Sequence, residues 1–437
     1  MGSEECCIYR VPSQLREVKP AAYTPRILLI GPLHHFAKPK VFRSDIEANN
    51  LMEDLKNGNS RYLEYLMMED QKKKYMADFL KRFVVEEKMK EIIKESLDDI
   101  CASYAVSTEW ISSADFEELI LLDSVFILEL ILKHWEKRKE TAQPTKTTSV
   151  DPQTSTRHHD LTVDKPYFTT MAMVDLVLLE NQLPYFILEK LFEYCKNNLV
   201  GSSPTPTLDE LILKLFSLEV DMTCRDYKFK NLTDMYRHVY ENSLGTNARG
   251  SKKPTEDMYN ADRLSRSGVK FNKVGRENSL AISFNGGVLS MPCFPADDSS
   301  EVILRNVIAY EQCHDPRNAF TSEYIDLMNF LVTTVKDVEI LTASGAISND
   351  IGRPSLVVEM INKLGQGVLT PIDTIYHDTT KELNIHCNSC RNNSCAILKK
   401  VYCSDLWTGT ATAVAAVLLL LTIAATVASI YQAVKTK

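Results

Sequence analysis

Two adjacent imidazoles, His34 and His35, follow a Gly31-Pro32 pair and are the most conspicuous polar residues of this 437-residue chain. Histidine titrates nearest neutrality, so such a pair suggests proton transfer or metal binding. Sequence neighbours point in different directions, however, and no cysteine or carboxylate stands at ligand spacing from them. These residues therefore favour a structural role beside the turn over catalysis. Asp123 and Glu180 are the other acid–base candidates, each set in a long apolar run. Burial there raises a carboxylate's pKa unless it is paired. Buried acids more often accept hydrogen bonds from backbone than carry out chemistry.

Cys387, Cys390, Cys395 and Cys403 crowd the C-terminal region, with His386 alongside. The first three approach a compact zinc knuckle, but the last gap is too long for one, and a single Cys-x-x-Cys is a weak metal signal. A disulfide is the competing reading, decided by redox context. Free thiols are the default, with Cys403 placed for acylation. Asn231-Leu-Thr and Asn392-Asn-Ser are glycan acceptors only in a lumenal region. Lys72, Lys73 and Lys74 lie among Glu69, Asp70 and Asp78 and read as a solvated helix face. At the start, Gly2 resembles a myristoylation site, but Cys6 stands where that motif wants Ser or Thr.

Phosphate-cradling glycine motifs, a nucleophile elbow and a His-Glu-x-x-His helix are missing from the sequence. No cofactor is expected. A net charge of −8 argues against coating a nucleic-acid backbone. Eleven cysteines are too few for a disulfide scaffold of this length, and 15 glycines disfavour glycine-rich nucleotide folds.

The elements that must position these residues are mainly α. The reading is a large helical body with a small antiparallel β-hairpin region near 269–291 and a C-terminal transmembrane helix. It divides into an N-terminal helical region (1–139), a Thr/Ser/Pro-rich flexible insert (140–160), a second helical region (161–405), a span (408–430) and a short tail (431–437). Further polar inserts fall at 197–207 and 245–257. Asp115 with Glu118, and Thr207 with Glu210, look like capping boxes. Runs 119–132 and 171–195 are too apolar for surface helices and should form the core. Leu280, Ile282 and Phe284 alternate before Asn285-Gly-Gly, and 288–291 resumes, which is a hairpin signal; Phe271 marks a third strand. Helix is expected again over 303–313 and 324–341.

Within 175–185, Pro184 lacks an N–H and disfavours helix at Leu183, so a helix from about 171 should stop near Asn181 or Gln182 and the next begin at Pro184. Glu180, Asn181, Gln182 and Pro184 then form a buried helix–helix corner, whose free backbone groups Asn181 and Gln182 are suited to plug.

Residues 408–430 carry no ionisable group. As a helix they cover about 34 Å, enough for a bilayer core. Trp407 and Tyr431 sit at the ends as interface anchors. The expected partner is a membrane, spanned once, with residues 1–405 in the cytosol. Gly409 with Ala413 and Ala411 with Ala415 allow close helix approach, hence a homo-oligomer through that span.

Several stretches together resemble the plant family called domain of unknown function 247. They are Ile8-Tyr-Arg-Val-Pro12, Gly31-Pro-Leu-His-His35, FEELILLDSVFILE at 116–129 and DLVLLENQLPY at 175–185, the most specific. Gly268-Val-Lys-Phe271, Arg305-Asn-Val-Ile-Ala-Tyr-Glu-Gln312 and Asp337-Val338 complete the set. The chain departs from the family pattern at Leu33, Phe36, Tyr185 and Leu406-Trp407. The resemblance implies a plant, largely helical, single-span membrane protein without assigned enzymatic activity. Some relatives are associated with self-incompatibility loci in grasses. The function expected is an interaction or recognition module with an unknown protein partner. The alternative is an enzyme with an active site around His34, His35, Asp123 or Glu180.

Overall fold

The computed structural model describes residues 6–37, 60–83, 85–142, 160–196, 206–219, 227–245, 252–275, 278–369, 372–389 and 406–435. Apolar residues recurring at three- and four-residue spacing make it mainly helical. After α1 (Ser13–Val18) comes α2 (Ser60–Phe83), whose Met68, Lys72, Tyr75, Phe79 and Phe83 fall on one buried stripe. Then follow α3 (Glu86–Glu95), α4 (Leu97–Ala102) and α5 (Ser113–Ala142), the last packed along α2. The cap of α5 lies three residues before the expected one. The Ser112 hydroxyl accepts the Asp115 N–H at 3.2 Å, as an N-cap does, and donates to the Asp115 carboxylate at 2.7 Å.

Next come α6 (Leu161–Asp164), α7 (Pro166–Asp175), α8 (Tyr185–Lys196), α9 (Leu208–Leu215) and α10 (Leu232–Asn242). The Thr207 hydroxyl caps α9 from Glu210 N–H, the position the capping pattern indicates. The second half holds α11 (Ala261–Arg266), α12 (Asp298–His314), α13 (Phe320–Leu331), α14 (Val335–Ala343), α15 (Pro354–Leu364) and α16 (His377–Asn388). The single helix expected over 324–341 is two. Asp337 draws the N–H groups of Thr333 and Thr334 and both their hydroxyls onto one carboxylate oxygen, which ends α13 and caps α14.

Among the described residues, three small sheets punctuate the helices. Strands β1 (Lys253–Pro254), β2 (Lys270–Lys273), β3 (Ser283–Asn285), β4 (Val288–Met291), β5 (Phe294–Ala296), β6 (Ile347–Asn349) and β7 (Asp373–Thr374) pair as β1–β7, β2–β4–β3 and β5–β6. The hairpin is β3–β4, antiparallel across Gly286 and Gly287, both at positive φ as a two-residue turn requires. The third strand, β2, departs from the antiparallel expectation and runs parallel to β4.

Of the expected flexible insert at 140–160, residues 143–159 lie outside the described residues; so do 197–205 and 246–251 of the other two. The margins of the first insert are ordered. Helix α5 runs through Ala142, and Asp160 caps α6 while accepting the Tyr75 hydroxyl at 2.7 Å.

The expected membrane span requires correction. A helix, α17 (Leu406–Lys435), covers positions 408–430, yet among the described residues no helix is long and apolar enough to cross a membrane. Its strongly apolar stretch is confined to 417–423, and Ala, Thr and Ser make up most of the remainder. Hydroxyls of Thr422, Thr426 and Ser429 donate to carbonyls one turn back.

Buried apolar residues from Cys7 to Cys387 form one continuous cluster. A smaller one joins Val11, Leu15, Ala22 and Tyr23 to Leu178, Leu179, Val302 and Tyr310. The N-terminal segment is thus threaded through the body, and Ile27, Leu28, Leu29 and Ile30 are all fully or nearly fully buried.

Candidate functional site

Residues 26–31 belong to no helix or sheet, so their buried backbone groups need partners from elsewhere. Side chains supply them. The Asp175 carboxylate, at the end of α7, accepts the N–H groups of Arg26, Ile27 and Leu28 at 2.8–3.0 Å. Asn181 accepts the Ile30 N–H at 2.6 Å and donates to the Leu28 carbonyl at 2.9 Å. Asp123 of α5 accepts the Gly31 N–H at 2.8 Å. From α2, Lys72 donates to the Leu29 carbonyl. Gly31 has φ of +72°, and a Cβ there would stand 2.4 Å from the Gln182 carbonyl oxygen, so only glycine fits.

Lys72 is the main departure from the sequence reading. It is fully buried, its ammonium 2.7 Å from Asp123 and 2.6 Å from Glu69, while Lys73 and Lys74 are exposed. Burial alone pushes the ammonium down, but the facing Asp123 and Glu69 carboxylates hold it above the usual lysine value. The apolar spacing Met68, Tyr75, Phe79 and Phe83, with Lys72 on the same stripe, is the signal that identifies it.

The α7–α8 corner uses the same devices. Helix α7 ends at Asp175, earlier than Pro184 alone requires. The carbonyls that would have continued it are taken by side chains: Asn181 donates to Asp175 at 2.8 Å, and Gln182 to Leu176 and Leu178 at 2.6 and 2.9 Å. Gln182 also accepts the Leu232 N–H opening α10, and the Leu179 N–H goes to Asn306 at 3.0 Å. Pro184 immediately precedes α8. Glu180 turns the other way, accepting the Val11 N–H at 2.8 Å and pairing with Arg16 at 2.8 Å and Arg10 at 3.7 Å.

Among the buried carboxylates whose pKa values burial raises are Asp175 and Glu129. Burial lifts Asp175 to about 6 against the pull of its three N–H donors. Burial likewise lifts Glu129 of α5 to about 7, although Arg82 lies 2.8 Å away and Lys133 3.9 Å. Neither was singled out from sequence. Asp175 lies in the most family-specific stretch, and Glu129 stands inside the apolar run of α5, three residues before its end.

The four acid–base candidates do not assemble into one open site. Both Asp123 oxygens are engaged and no part of the residue is exposed. Glu180 holds Val11, a different part of the N-terminal segment. His34 and His35 sit half-buried on a 3-10 turn (Pro32–Ala37), the His35 ring edge-on to Trp110 at 5.7 Å. Clefts of 210, 380 and 390 Å³ among the described residues are lined by none of these four.

Cys387 is a buried thiol on α16, raised by burial against the lowering effect of Ser267 and Arg263, whereas Cys390, Cys395 and Cys403 lie outside the described residues. No group of three metal-ligating side chains occurs among the described residues. Asn231 is fully buried, capping α10 and donating to the Cys7 carbonyl at 2.7 Å, so the folded chain has no room for a glycan there.

A family profile described as "Plant protein of unknown function" matches residues 8–421. The UPF0481 protein At3g47200 of Arabidopsis thaliana is 25% identical, covering 93% of this chain and 82% of that protein. The Putative UPF0481 protein At3g02645 of Arabidopsis thaliana is 26% identical over 24% of this chain and 20% of its own length. No solved structure matches.

Proposed function

The chain belongs to the plant family of unknown function designated domain of unknown function 247, and on that premise we propose that it is a protein-interaction module rather than a catalyst. One observation carries this reading. The acids best placed in sequence to do chemistry, Asp123 and Glu180, are both engaged in holding the chain's own N-terminal segment. A general base needs an oxygen open to substrate, and Asp123 presents none. That the fold spends these acids on holding a buried peptide segment supports a reading in which recognition falls to the outer surface.

The test is proximity labelling in plant cells with the full chain. A reproducible set of protein neighbours, absent from an inert fusion and unchanged by His34→Ala/His35→Ala, is the expected result. A turnover by the purified full chain that disappears in that double variant, with folding intact, would overturn the reading in favour of an enzyme.

A further inference from the structure

A cleft of about 390 Å³ opens where the N-terminal segment meets the ends of three helices. Its floor is fixed by backbone. The Ser103 carbonyl, just past α4, accepts the N–H groups of Cys7 and Ile8 at 2.9 Å, and the Lys230 carbonyl accepts that of Tyr185 at 2.8 Å. Its walls are the rings of Phe186 and Phe229. Phe229 is buttressed by the Tyr185 and His238 rings at 5.4 and 5.8 Å, and so is held as a rigid apolar face.

Charge at the rim is one-sided. Lys228 is exposed and Lys230 half-buried, and among the described residues neither ammonium makes a hydrogen bond or ion pair. Against these two cations the lining holds one acid, Asp99, in a chain whose net charge is −8. Among the described residues no counter-charge contacts either cation, and beside a preformed apolar wall a ligand can supply one. We propose that this cleft binds a small carboxylate carried on an aromatic body, with the ring between Phe186 and Phe229 and the carboxylate at Lys228 and Lys230. The volume is at the small end of the range for ligand pockets, on the order of 300–1,000 Å³, which suits one or two fused rings. Cys7, whose thiol burial pushes up to about 12, is a neutral part of the wall and not a nucleophile.

Because the cleft is built from residues that only the fold brings together, Cys7 of the N-terminal segment among them, a ligand there stabilises the folded chain. The experiment is calorimetric titration of the full chain with 2-naphthoate, its neutral analogue 2-naphthamide, and inorganic phosphate, supported by thermal shift. Expected is saturable naphthoate binding at least about tenfold tighter than naphthamide, and no comparable effect of phosphate. Lys228→Gln should weaken naphthoate several-fold, and Lys228→Ala/Lys230→Ala should bring it down to the naphthamide level, while Lys228→Arg/Lys230→Arg retains it. Equal affinity for acid and amide, phosphate binding as tight as naphthoate, no naphthoate binding at millimolar concentration, or unchanged affinity in Lys228→Gln and the double variant would each overturn the proposal. The comparison on the native chain stands even where a double variant fails to fold.

Discussion

At the scale of single residues, this protein depends on charges kept inside. Lys72 has no exposed surface and faces two carboxylates and a carbonyl, so removing it strands Asp123 as a buried charge. Lys72→Met should cost about 3–5 kcal/mol, as breaking one side of a buried pair does. Urea unfolding measures this, and a loss below about 1 kcal/mol would put the pair in the class of exposed ion pairs. Glu129 provides a test of sign. Its pKa is raised by burial from the usual carboxylate value to about 7, so between pH 4.5 and 7 the folded chain binds a proton that the unfolded chain has released. Stability from this group is therefore full below about pH 4.5 and is lost as pH rises through 7. Asp175, raised to about 6, acts in the same direction. His134 and His314, pushed down by burial, act oppositely as pH rises toward 6.5. The informative quantity is thus the difference between the native chain and Glu129→Gln. That variant should remove a decline of roughly 3–4 kcal/mol, at about 1.4 kcal/mol per pKa unit, seen as a flatter profile of urea midpoint against pH. Parallel profiles would show that Glu129 ionises normally.

At the scale of elements, the α7–α8 corner is a junction held by side-chain amides. Replacing Asn181 by Ala orphans the Ile30 N–H and the carbonyls of Leu28 and Asp175 together. A buried group left unpaired costs about 1–3 kcal/mol, so Asn181→Ala should sit at or above the top of that range in thermal or urea unfolding. Unchanged stability with lost partner binding would make the stretch a recognition surface. The corner was legible in sequence because Pro184 constrains its own neighbours. The β3–β4 hairpin was legible for a similar reason, since Gly286 and Gly287 announce their turn locally. The end of α7 was not. It is set by Asp175 turning to N–H groups of residues 26–28, some 150 positions away in sequence. The break between α13 and α14 escaped because Val332-Thr333-Thr334 contains neither glycine nor proline, the side chain of Asp337 doing the work of both. Lys72 was misread because a charged residue on an apolar stripe is normally solvated, and its partners Asp123 and Leu29 come from other elements.

At the scale of the whole molecule, the N-terminal segment acts as an internal strut. It contributes Cys7, Ile8, Val11, Leu15 and Tyr23 to the apolar clusters, together with the buried run from Ile27 to Ile30. It is also the hydrogen-bond partner of side chains from across the body: Asn231 at Cys7, Glu180 at Val11, Asn306 at Ala22, Asp175 at 26–28 and Asp123 at Gly31. Removing residues 1–31 therefore does two things at once. It opens a trough through the core, and it leaves buried polar groups facing that trough without partners, each a penalty comparable to a lost hydrogen bond. Individual helices keep their internal bonds, so secondary structure should largely survive while fixed packing does not. The expected product of the deletion retains helical far-UV dichroism, loses its near-UV signal, binds a hydrophobic dye and unfolds without a sharp transition. Adding a peptide of residues 6–31 in trans should restore a cooperative melt, since it supplies both the apolar residues and the backbone groups. A deletion variant that melts cooperatively at the native temperature without the peptide would show the strut to be dispensable.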